Sequence, residues 1–331
     1  MARVLCAGSF VCDIIAAGLD HIAAPGELVY VPLGIDLKPG GHSANVAIDL
    51  TQLGISDVAA IGGIGDDLFG EFMEGELVKR GVAVYPERFG ELHTAKNIAI
   101  IVEGEDRRFI AELTANTMLS PSHVISTLED SHPDVFYLGT VGGLRLVDED
   151  LVEVLQAAKG LGCLTMLDVI MPHGFGWDSL TQALGFADIL HCNETESTAL
   201  TGLSDPSEAA RRLVEEGVSL VIVTIGPHGL VAATKGIGLR MPAFKVDSVD
   251  PTGAGDAFSA GFLDALLKSG ADLKSIEAIS LETLKGVLLA GEAAGAACVT
   301  AIGASTAVTR ENVDGLISSQ GESILGASTD I

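Results

Sequence analysis

The sequence predicts an α/β fold in which helices flank a central, mostly parallel β-sheet. Short runs rich in Val and Ile recur along the chain and are apolar at nearly every position, which is typical of strands buried on both faces. Segments with the helical spacing of apolar residues lie between these runs, so strand and helix alternate as they do in right-handed crossovers. Because 48% of the 331 residues are apolar, the chain can bury a large core.

The individual elements follow from this pattern. The predicted strands are Val4–Ala7, Val58–Ile61, Asp134–Leu138, Leu164–Leu167, Ile189–His191 and Leu220–Thr224. The predicted helices are Ser43–Leu53, Phe69–Arg80, Asp148–Lys159, Pro206–Glu216, Asp256–Lys268 and Ser275–Ala297. From about residue 317 the periodicity fades, and we expect a poorly ordered tail.

Two regions, 13–40 and about 88–113, break the alternation and read as extended segments. In the second, Thr94–Val102 and Arg107–Leu113 flank a turn at 103–106 and predict a hairpin. Strands inserted into an α/β domain often form a lid over its site. A surface sheet or a dimer contact is an equal alternative. Four basic residues in this region, interspersed with acidic ones, favour paired surface charges: Arg88, Lys96, Arg107 and Arg108.

Charge and composition exclude several classes of function. Lys and Arg total 19 against 45 for Asp and Glu, a net charge of −26, which disfavours binding to nucleic acids and to membrane surfaces. Five cysteines without a CxxC pair indicate thiols in a reducing compartment. The N-terminal residues make a poor signal peptide, and no apolar run is long enough to span a membrane. We therefore expect a cytoplasmic protein.

The motif DPTGAGD at 250–256 carries the strongest indication of chemistry. It follows the strand-like segment 244–249 and opens a predicted helix, so Gly253 to Asp256 fall at a helix N-terminus, where free N–H groups favour an anion. Asp256 has two interpretations there. It caps the helix, or it accepts a proton from an attacking hydroxyl. The pattern alone leaves both open.

Three further motifs follow predicted strands or extended segments. GGHSAN at 40–45 gives a ligand access to the backbone and places Asn45 nearby; a glycine turn capped by Ser43, with His42 exposed, is the structural alternative. Asn193 and Glu196 share one face of a first helical turn and suit a hydrated Mg²⁺, or else form a capping box. VTIGPHG at 223–229 is compatible with the floor of a nucleotide site, although any hairpin turn has a similar sequence.

Other common motifs are absent from the sequence. There is no G-x-x-x-x-G-K-[ST], so the chain is not a P-loop NTPase. Leu68 stands where a dinucleotide fingerprint beginning at Gly63 needs its last glycine, which disfavours an NAD-dependent dehydrogenase.

Taken together and in this order, these motifs resemble the ribokinase-like (PfkB) family of carbohydrate and nucleoside kinases. DPTGAGDAF matches the C-terminal signature of that family, and GGHSAN with IGGIGDDLFG at 61–70 matches its N-terminal signature. The resemblance implies a single three-layer ribokinase-like domain over residues 1–331, with a lid from segments 13–40 and 88–113. It also implies transfer of the γ-phosphoryl group of ATP to a substrate hydroxyl.

The resemblance also implies roles for individual residues. Asp256 is then the general base, and the backbone of Gly253, Ala254 and Gly255 is the anion hole. The residues that would bind the substrate are Asp13, Gly40, Gly41 and Asn45. Those that would bind the nucleotide and Mg²⁺ are Asn193, Glu196, Thr224, Gly226 and Gly229. Many members bind K⁺ at the positions of Asp250 and Thr252, with carbonyls near 301–303.

The acceptor is the most open part of this interpretation. We expect a small sugar or polyol, with a nucleoside as the alternative, because lid aromatics such as Tyr30 and Phe109 can form a wall for a base. A phosphosugar is favoured less, and a non-catalytic sugar sensor least, because a sensor needs no general base. His42 stands where sugar kinases of the family often carry a basic residue after the two glycines. A homodimer through the lid is a further expectation.

Overall fold

The computed structural model describes residues 3–105, 107–172 and 177–331. The strands of these residues are β1 Val4–Ala7, β2 Val11–Leu19, β3 Ile35–Gly40, β4 Val58–Ile61, β5 Gly63–Gly65, β6 Ala83–Val84, β7 Glu87–Phe89, β8 Lys96–Val102, β9 Arg108–Glu112, β10 Val135–Val141, β11 Leu164–Val169, β12 Ile189–Asn193, β13 Leu220–Thr224, β14 Leu230–Ala233, β15 Gly238–Met241 and β16 Thr329–Asp330.

The helices are α1 His42–Gln52, α2 Leu68–Lys79, α3 Thr114–Thr117, α4 Pro121–Ser131, α5 Arg145–Glu149, α6 Leu151–Gly160, α7 Asp178–Ala183, α8 Glu194–Thr201, α9 Pro206–Glu215, α10 Ala254–Lys268, α11 Leu281–Cys298 and α12 Arg310–Ala327. Short 3₁₀ turns are Leu184–Phe186, Gly226–His228 and Leu273–Ala278. No helix of the described residues is long and apolar enough to cross a membrane.

The large sheet forms the middle of three layers, as the sequence predicts. Its strand order is β16-β15-β14-β13-β12-β11-β10-β1-β4-β6, parallel from β6 to β13 and antiparallel beyond. Successive side chains of β1 point to opposite faces: Val4 belongs to a core with Phe262 of α10, and Leu5 to a core with Val154 of α6. Parallel strands place their carboxyl ends at one edge, where ligands of such folds bind.

A second, four-stranded sheet is built from the two segments that interrupt the α/β alternation. Its order is β3-β2-β8-β9, with β2 parallel to β8 and antiparallel to β3. The predicted hairpin is confirmed, because β8 and β9 pair in antiparallel register; Asp106 of its turn lies outside the described residues. We call these four strands the small sheet. Its role as a lid stays a prediction.

Several predicted boundaries are wrong. The helix predicted over Asp148–Lys159 is two helices, α5 and α6, that meet at Asp150. The helix predicted over Ser275–Ala297 begins only at Leu281, because the side chain of Ser280 accepts a hydrogen bond from the Thr283 N–H and caps it there.

Two other segments also differ from expectation. The segment 244–249 is irregular rather than a strand. The tail from about residue 317, expected to be poorly ordered, belongs to β16 and to the second half of α12, a helix that is capped at its start by Thr309. Its Val313 and Ile324 join the core that includes α10 and α11, so tertiary packing rather than intrinsic periodicity supports this helix.

Candidate active site

Asp256 lies in the first turn of α10 with one carboxylate oxygen unused. Gly253, at φ 80°, is the N-cap residue, so the alternative in which Asp256 caps the helix is wrong. Asp256 is only 6% exposed. Its Oδ2 accepts a hydrogen bond from Asn45 Nδ2 at 2.8 Å, and its Oδ1 has no hydrogen-bond partner among the described residues. A buried carboxylate oxygen of this kind is placed to accept a proton from a bound hydroxyl.

Burial and neighbouring charges set the pKa of Asp256. Burial raises the pKa and outweighs the opposing effects of His42 and of the Asn45 hydrogen bond. A raised pKa makes the carboxylate a stronger proton acceptor than an exposed one, which suits a general base.

The two glycines before α1 make room for the substrate-side groups. A Cβ on Gly40 would lie 2.1 Å from Asp13 Oδ2, and a Cβ on Gly41 would lie 2.3 Å from the Ser9 carbonyl oxygen. Gly41, at φ 91°, is the N-cap residue of α1. The predicted capping role of Ser43 is therefore wrong; its hydroxyl donates to the Ser9 carbonyl instead.

His42 contacts the candidate base, contrary to the expectation that it is an exposed turn residue. Its side chain is 28% exposed, and its Nε2 lies 3.8 Å from Asp256 Oδ1. On the other side of the ring, Nδ1 lies 2.9 Å from Thr140 Oγ1, which is itself 2.7 Å from Ser9 Oγ. The Ser9 hydroxyl also accepts from the backbone N–H of His42 at 3.2 Å. The imidazole is thus held from behind, with Nε2 facing the carboxylate.

The backbone of Thr140 is strained at this contact. Thr140 has φ 63°, a left-handed conformation that is uncommon for a β-branched residue. Such conformations cost about 1–3 kcal/mol and persist where the surroundings impose them, mainly at functional sites. Gly139 beside it allows the approach of His42, because a Cβ there would lie 2.6 Å from the His42 Cβ.

A buried ion pair lies under the same region. Asp168 Oδ2 accepts hydrogen bonds from the Tyr137 hydroxyl and the Ser259 hydroxyl, each at 3.0 Å, and lies 3.0 Å from His191 Nδ1. Burial opposes both charges, but each partner stabilises the other: the pKa of Asp168 is lowered and that of His191 is raised. His191 Nε2 points on to Thr224 Oγ1 at 3.3 Å.

A cleft of about 640 Å³ opens above this pair and beside α10. Its walls include residues from the carboxyl ends of β11, β12 and β13 and from the first turn of α10: Asp168, Asn193, Thr224, Ala254 and Gly255. Among the described residues that line it, His42 and His191 are the only basic ones, whereas Asp168, Glu196 and Glu292 are acidic. Burial raises the pKa of Glu292 to about 8, so this side chain is uncharged at neutral pH. Phe244 and Phe258 supply apolar wall.

Asn193 and Glu196 form the capping box that was the structural alternative for this motif. Asn193 Oδ1 accepts from the Glu196 N–H at 2.9 Å, and Glu196 Oε2 accepts from the Asn193 N–H at 2.8 Å. Burial raises the pKa of Glu196. Both residues nevertheless line the cleft, and a second Glu196 oxygen remains outside the box. One carboxylate and one amide suit a Mg²⁺ ion that keeps most of its water.

The predicted nucleotide-floor residues separate into two groups. Thr224 and Gly226 line the cleft. Gly229 instead packs against the backbone after β15, where a Cβ would lie 2.0 Å from the Met241 carbonyl oxygen. Its need for glycine therefore has a purely local cause.

Asp13 lies in a narrow pocket under the small sheet. Its Oδ1 accepts from Asn97 Nδ2 at 3.1 Å, and burial raises its pKa to about 6. The pocket has a volume of about 10 Å³, which holds roughly one water molecule. This volume is too small for a sugar.

Asp250 and Thr252 also line that pocket, but a protein cation already binds both. Arg107 Nη1 lies 2.8 Å from Asp250 Oδ1 and also contacts Thr252 Oγ1. The two side chains therefore fit a bound K⁺ poorly. The other three basic residues of the region pair with acidic neighbours, as expected for surface charges: Arg88 with Glu74, Lys96 with Glu112, and Arg108 with Glu105.

Sequence reasoning missed Thr140, Asp168 and His191. Asn193 was singled out because it is a polar residue shortly after the predicted strand Ile189–His191, and the same rule applied to Leu164–Leu167 identifies Asp168. Nothing in the sequence marks Thr140, because its role depends on a backbone angle.

Similarity to known proteins identifies the family of the chain. A sequence model described as the pfkB family carbohydrate kinase matches residues 1–311. The chain belongs to the PfkB family of carbohydrate kinases. It is a phosphotransferase that acts on a sugar hydroxyl, as the family implies.

Individual PfkB relatives agree in sequence and in fold. A fructokinase of Klebsiella pneumoniae is 32% identical over 288 residues, which cover 82% of this chain and 88% of that protein. A crystal structure of ribokinase from Thermotoga maritima has a TM-score of 0.77 at 26% identity, over 96% of this chain and all of that one. A fructokinase of Xylella fastidiosa with bound ATP has a TM-score of 0.80 at 24% identity, over 96% of this chain and 99% of that one. The predicted ribokinase-like fold is confirmed.

Proposed function

We propose that this PfkB-family enzyme transfers the γ-phosphoryl group of Mg-ATP to a hydroxyl of a neutral sugar, with fructose as the first acceptor to test. The observation that carries the proposal is the buried Oδ1 of Asp256 at the N-terminus of α10, which has no hydrogen-bond partner among the described residues. Asp256 lies beside His42, which lines the cleft, and close enough to Asp13 for its charge to add to the effect of burial, which raises the pKa of Asp13. The choice of fructose rests on the fructokinases among the relatives. The nucleoside alternative has no comparable support.

The cleft is the proposed nucleotide site. Its apolar walls suit the adenine of ATP, and the free N–H groups in the first turn of α10 favour the binding of an anion. Asn193 and Glu196 would hold Mg²⁺ through its water, and the ion would supply charge neutralisation at the phosphates. Thr224 and Gly226 line the cleft as part of its floor.

The acceptor is proposed to lie on the other side of Asp256, against Asp13 and the GG turn. Its hydroxyl donates to Asp256 Oδ1, and the proton moves to that carboxylate as the oxygen attacks phosphorus. The Asn45 amide holds Asp256 by its Oδ2, and Asn45 Oδ1, which has no partner among the described residues, is left to accept from the sugar. The backbone N–H groups of Gly253, Ala254 and Gly255 stabilise the charge that develops on the transferring group.

His42 is proposed to donate a hydrogen bond from Nε2 to the same phosphoryl group. The Ser9 hydroxyl accepts from the His42 N–H, so its own proton is free for Thr140, and the Thr140 proton is then free for His42 Nδ1. That arrangement leaves the imidazole proton on Nε2. The opposite neutral tautomer would direct a lone pair at the Asp256 carboxylate, and an imidazolium carries a proton on both nitrogens.

The experiment is ADP release from Mg-ATP with a panel of sugars, polyols and nucleosides, for the wild type and Asp256→Asn. We expect turnover with one sugar and a loss of about 10²- to 10⁴-fold in kcat for the variant, with KM for ATP little changed, because only proton acceptance is removed. Asp272→Asn, the same change at an exposed helix cap, should match the wild type. Wild-type turnover in Asp256→Asn would refute the assignment of the base, and turnover only with nucleosides would refute the sugar.

A further inference from the structure

Two cationic side chains of the small sheet lie on the loops next to the anion hole. Arg107, directly before β9, binds Asp250 and Thr252, which precede α10. Lys38, in β3, donates from Nζ to the Ile302 carbonyl at 2.9 Å, in the loop after α11. The two loops are themselves joined, because the Gly303 N–H donates to Asp250 Oδ2 at 3.0 Å. One cation therefore sits on each half of a single loop assembly.

The contacts of Lys38 show a fitted position for its side chain rather than a chance surface contact. Its stem passes over Gly303, where a Cβ would lie 2.9 Å from Lys38 Cδ and 3.1 Å from Nζ. Its ammonium also donates to Thr306 Oγ1 at 3.3 Å. Gly303 has φ 93°, so both the backbone angle and the close approach of lysine require glycine there.

The loop assembly needs a positive charge. Asp250 is 4% exposed, and a buried carboxylate is unstable without a cation or several hydrogen bonds. Burial opposes its ionisation, but hydrogen bonds from Thr252, Gly303 and Arg107 hold the pKa of Asp250 below its usual range. Carbonyl oxygens converge on the same region, and the Cys298 thiol lies 3.3 Å from the Thr252 carbonyl and 2.9 Å from that of Ala304.

We propose that Arg107 and Lys38 supply the charge that an alkali-metal ion would bring to these loops, so that this kinase needs no K⁺. The inference rests on the proposed kinase function. Asp250 Oδ1 and Thr252 Oγ1 already bind a guanidinium, and the Ile302 carbonyl already binds an ammonium. An added cation would have to displace these groups or lie beside like charges.

A second consequence follows from where the two cations come from. Lys38 lies in the small sheet and Arg107 directly before its strand β9, so both reach the loops only when that sheet lies against the large domain. Closure over the acceptor then brings in the charge that orders 250–253, and the anion hole is complete only with the sheet closed. An alkali-metal ion bound from solvent would not couple the two events in this way.

The experiment compares the wild type with the double variant Lys38→Met, Arg107→Met, which keeps the apolar stems and removes both charges. Turnover is measured with choline as the only monovalent cation and then with KCl at the same ionic strength. We expect the wild-type rate to change less than twofold and the variant to be activated at least tenfold by K⁺. Arg108→Met, which removes an exposed charge of the same hairpin, should behave as the wild type.

Thermal unfolding in the same two salts gives a readout that does not depend on catalysis. We expect KCl to raise the midpoint of the double variant and to leave that of the wild type and Arg108→Met unchanged, because only the double variant gains an ion site. Activation of the wild type by K⁺ would overturn the inference. So would a folded double variant that is insensitive to K⁺ in both measurements. Absence of turnover with every acceptor would instead contradict the proposed function and leave the unfolding test to decide the inference.

Discussion

Thr140 offers a test of whether a hydrogen-bonded chain behind His42 sets the rate of phosphoryl transfer. In the proposed arrangement its hydroxyl donates to His42 Nδ1 and keeps a proton on Nε2, 3.8 Å from Asp256 Oδ1. Thr140→Val keeps the shape of the side chain and removes that donor. Thr140→Ser keeps the hydroxyl and removes the branch.

The magnitude follows from the hydrogen bond that is lost. A neutral hydrogen bond contributes about 0.5–1.5 kcal/mol. If Thr140→Val makes the productive orientation of the His42 ring less favourable by about 1 kcal/mol, the population of that orientation falls roughly fivefold, and kcat falls with it. Complete removal in His42→Ala should cost more, about 10²- to 10³-fold, as for other donors to a developing anion.

The assay is steady-state turnover over a range of ATP, sugar and pH. Because His42 is proposed to contact the transferring group and neither the adenine of ATP nor most of the sugar, Thr140→Val should lower kcat with both KM values within about twofold. Thr140→Ser should retain the wild-type kcat and tolerate the left-handed backbone better, since serine has no branch at Cβ. Wild-type kcat in Thr140→Val, or an equal loss in Thr140→Ser, would refute the reasoning.

Two further predictions concern buried carboxyl groups. Burial raises the pKa of Asp13 to about 6, so protonation below that pH removes an acceptor for a sugar hydroxyl. The KM for the sugar should therefore rise about tenfold from pH 7 to pH 5. A similar rise with pH in the variant Asp13→Asn would contradict the assignment. Burial raises the pKa of Glu292 from 4.5 to about 8. The stability that the Glu292 carboxyl group contributes is therefore complete below pH 4.5 and is lost as pH rises through 8. The variant Glu292→Gln should exceed the wild type in free energy of unfolding by on the order of 5 kcal/mol at pH 9 and by little at pH 4. Urea unfolding without nucleotide measures this, and an equal difference at both values would exclude the mechanism.

The large sheet was predictable because its strands are buried on both faces and separated by amphipathic helices. Continuous apolar runs such as Leu220–Thr224 have few other interpretations in a chain that alternates strand and helix. α12 was not predictable in the same way. Its buried residues, Val313, Gly321 and Ile324, are few and widely spaced, so the helical period is faint and the supporting contacts come from other parts of the chain.

The candidate site likewise contains residues that local motifs predict and contacts that only the fold creates. Asp256 and Asn193 stand in local motifs, and their positions follow from the helix starts that those motifs create. The relation between His42 and Asp256 joins residues more than two hundred positions apart, and that of Arg107 with Asp250 joins residues 143 apart. In the sequence, the hairpin arginine Arg107 cannot be told from other surface charges, because its contact with the loop before α10 exists only in the folded protein.

The polarity of the cleft explains why histidines and backbone carry so much of the proposed chemistry. In the proposed arrangement, a chain at −26 holds a nucleotide polyanion in a cleft whose acidic residues are Asp168, Glu196 and Glu292. Asp168 is neutralised by His191 underneath, which removes one repulsive charge without placing a mobile lysine at the phosphates. Among the described residues, the remaining donors on the γ-phosphoryl side are the first turn of α10 and Nε2 of His42, and Thr140 and Ser9 hold His42 in place before the substrate arrives. Groups that are already in place need no reorganisation as charge develops, which is the property that stabilises a phosphoryl transition state.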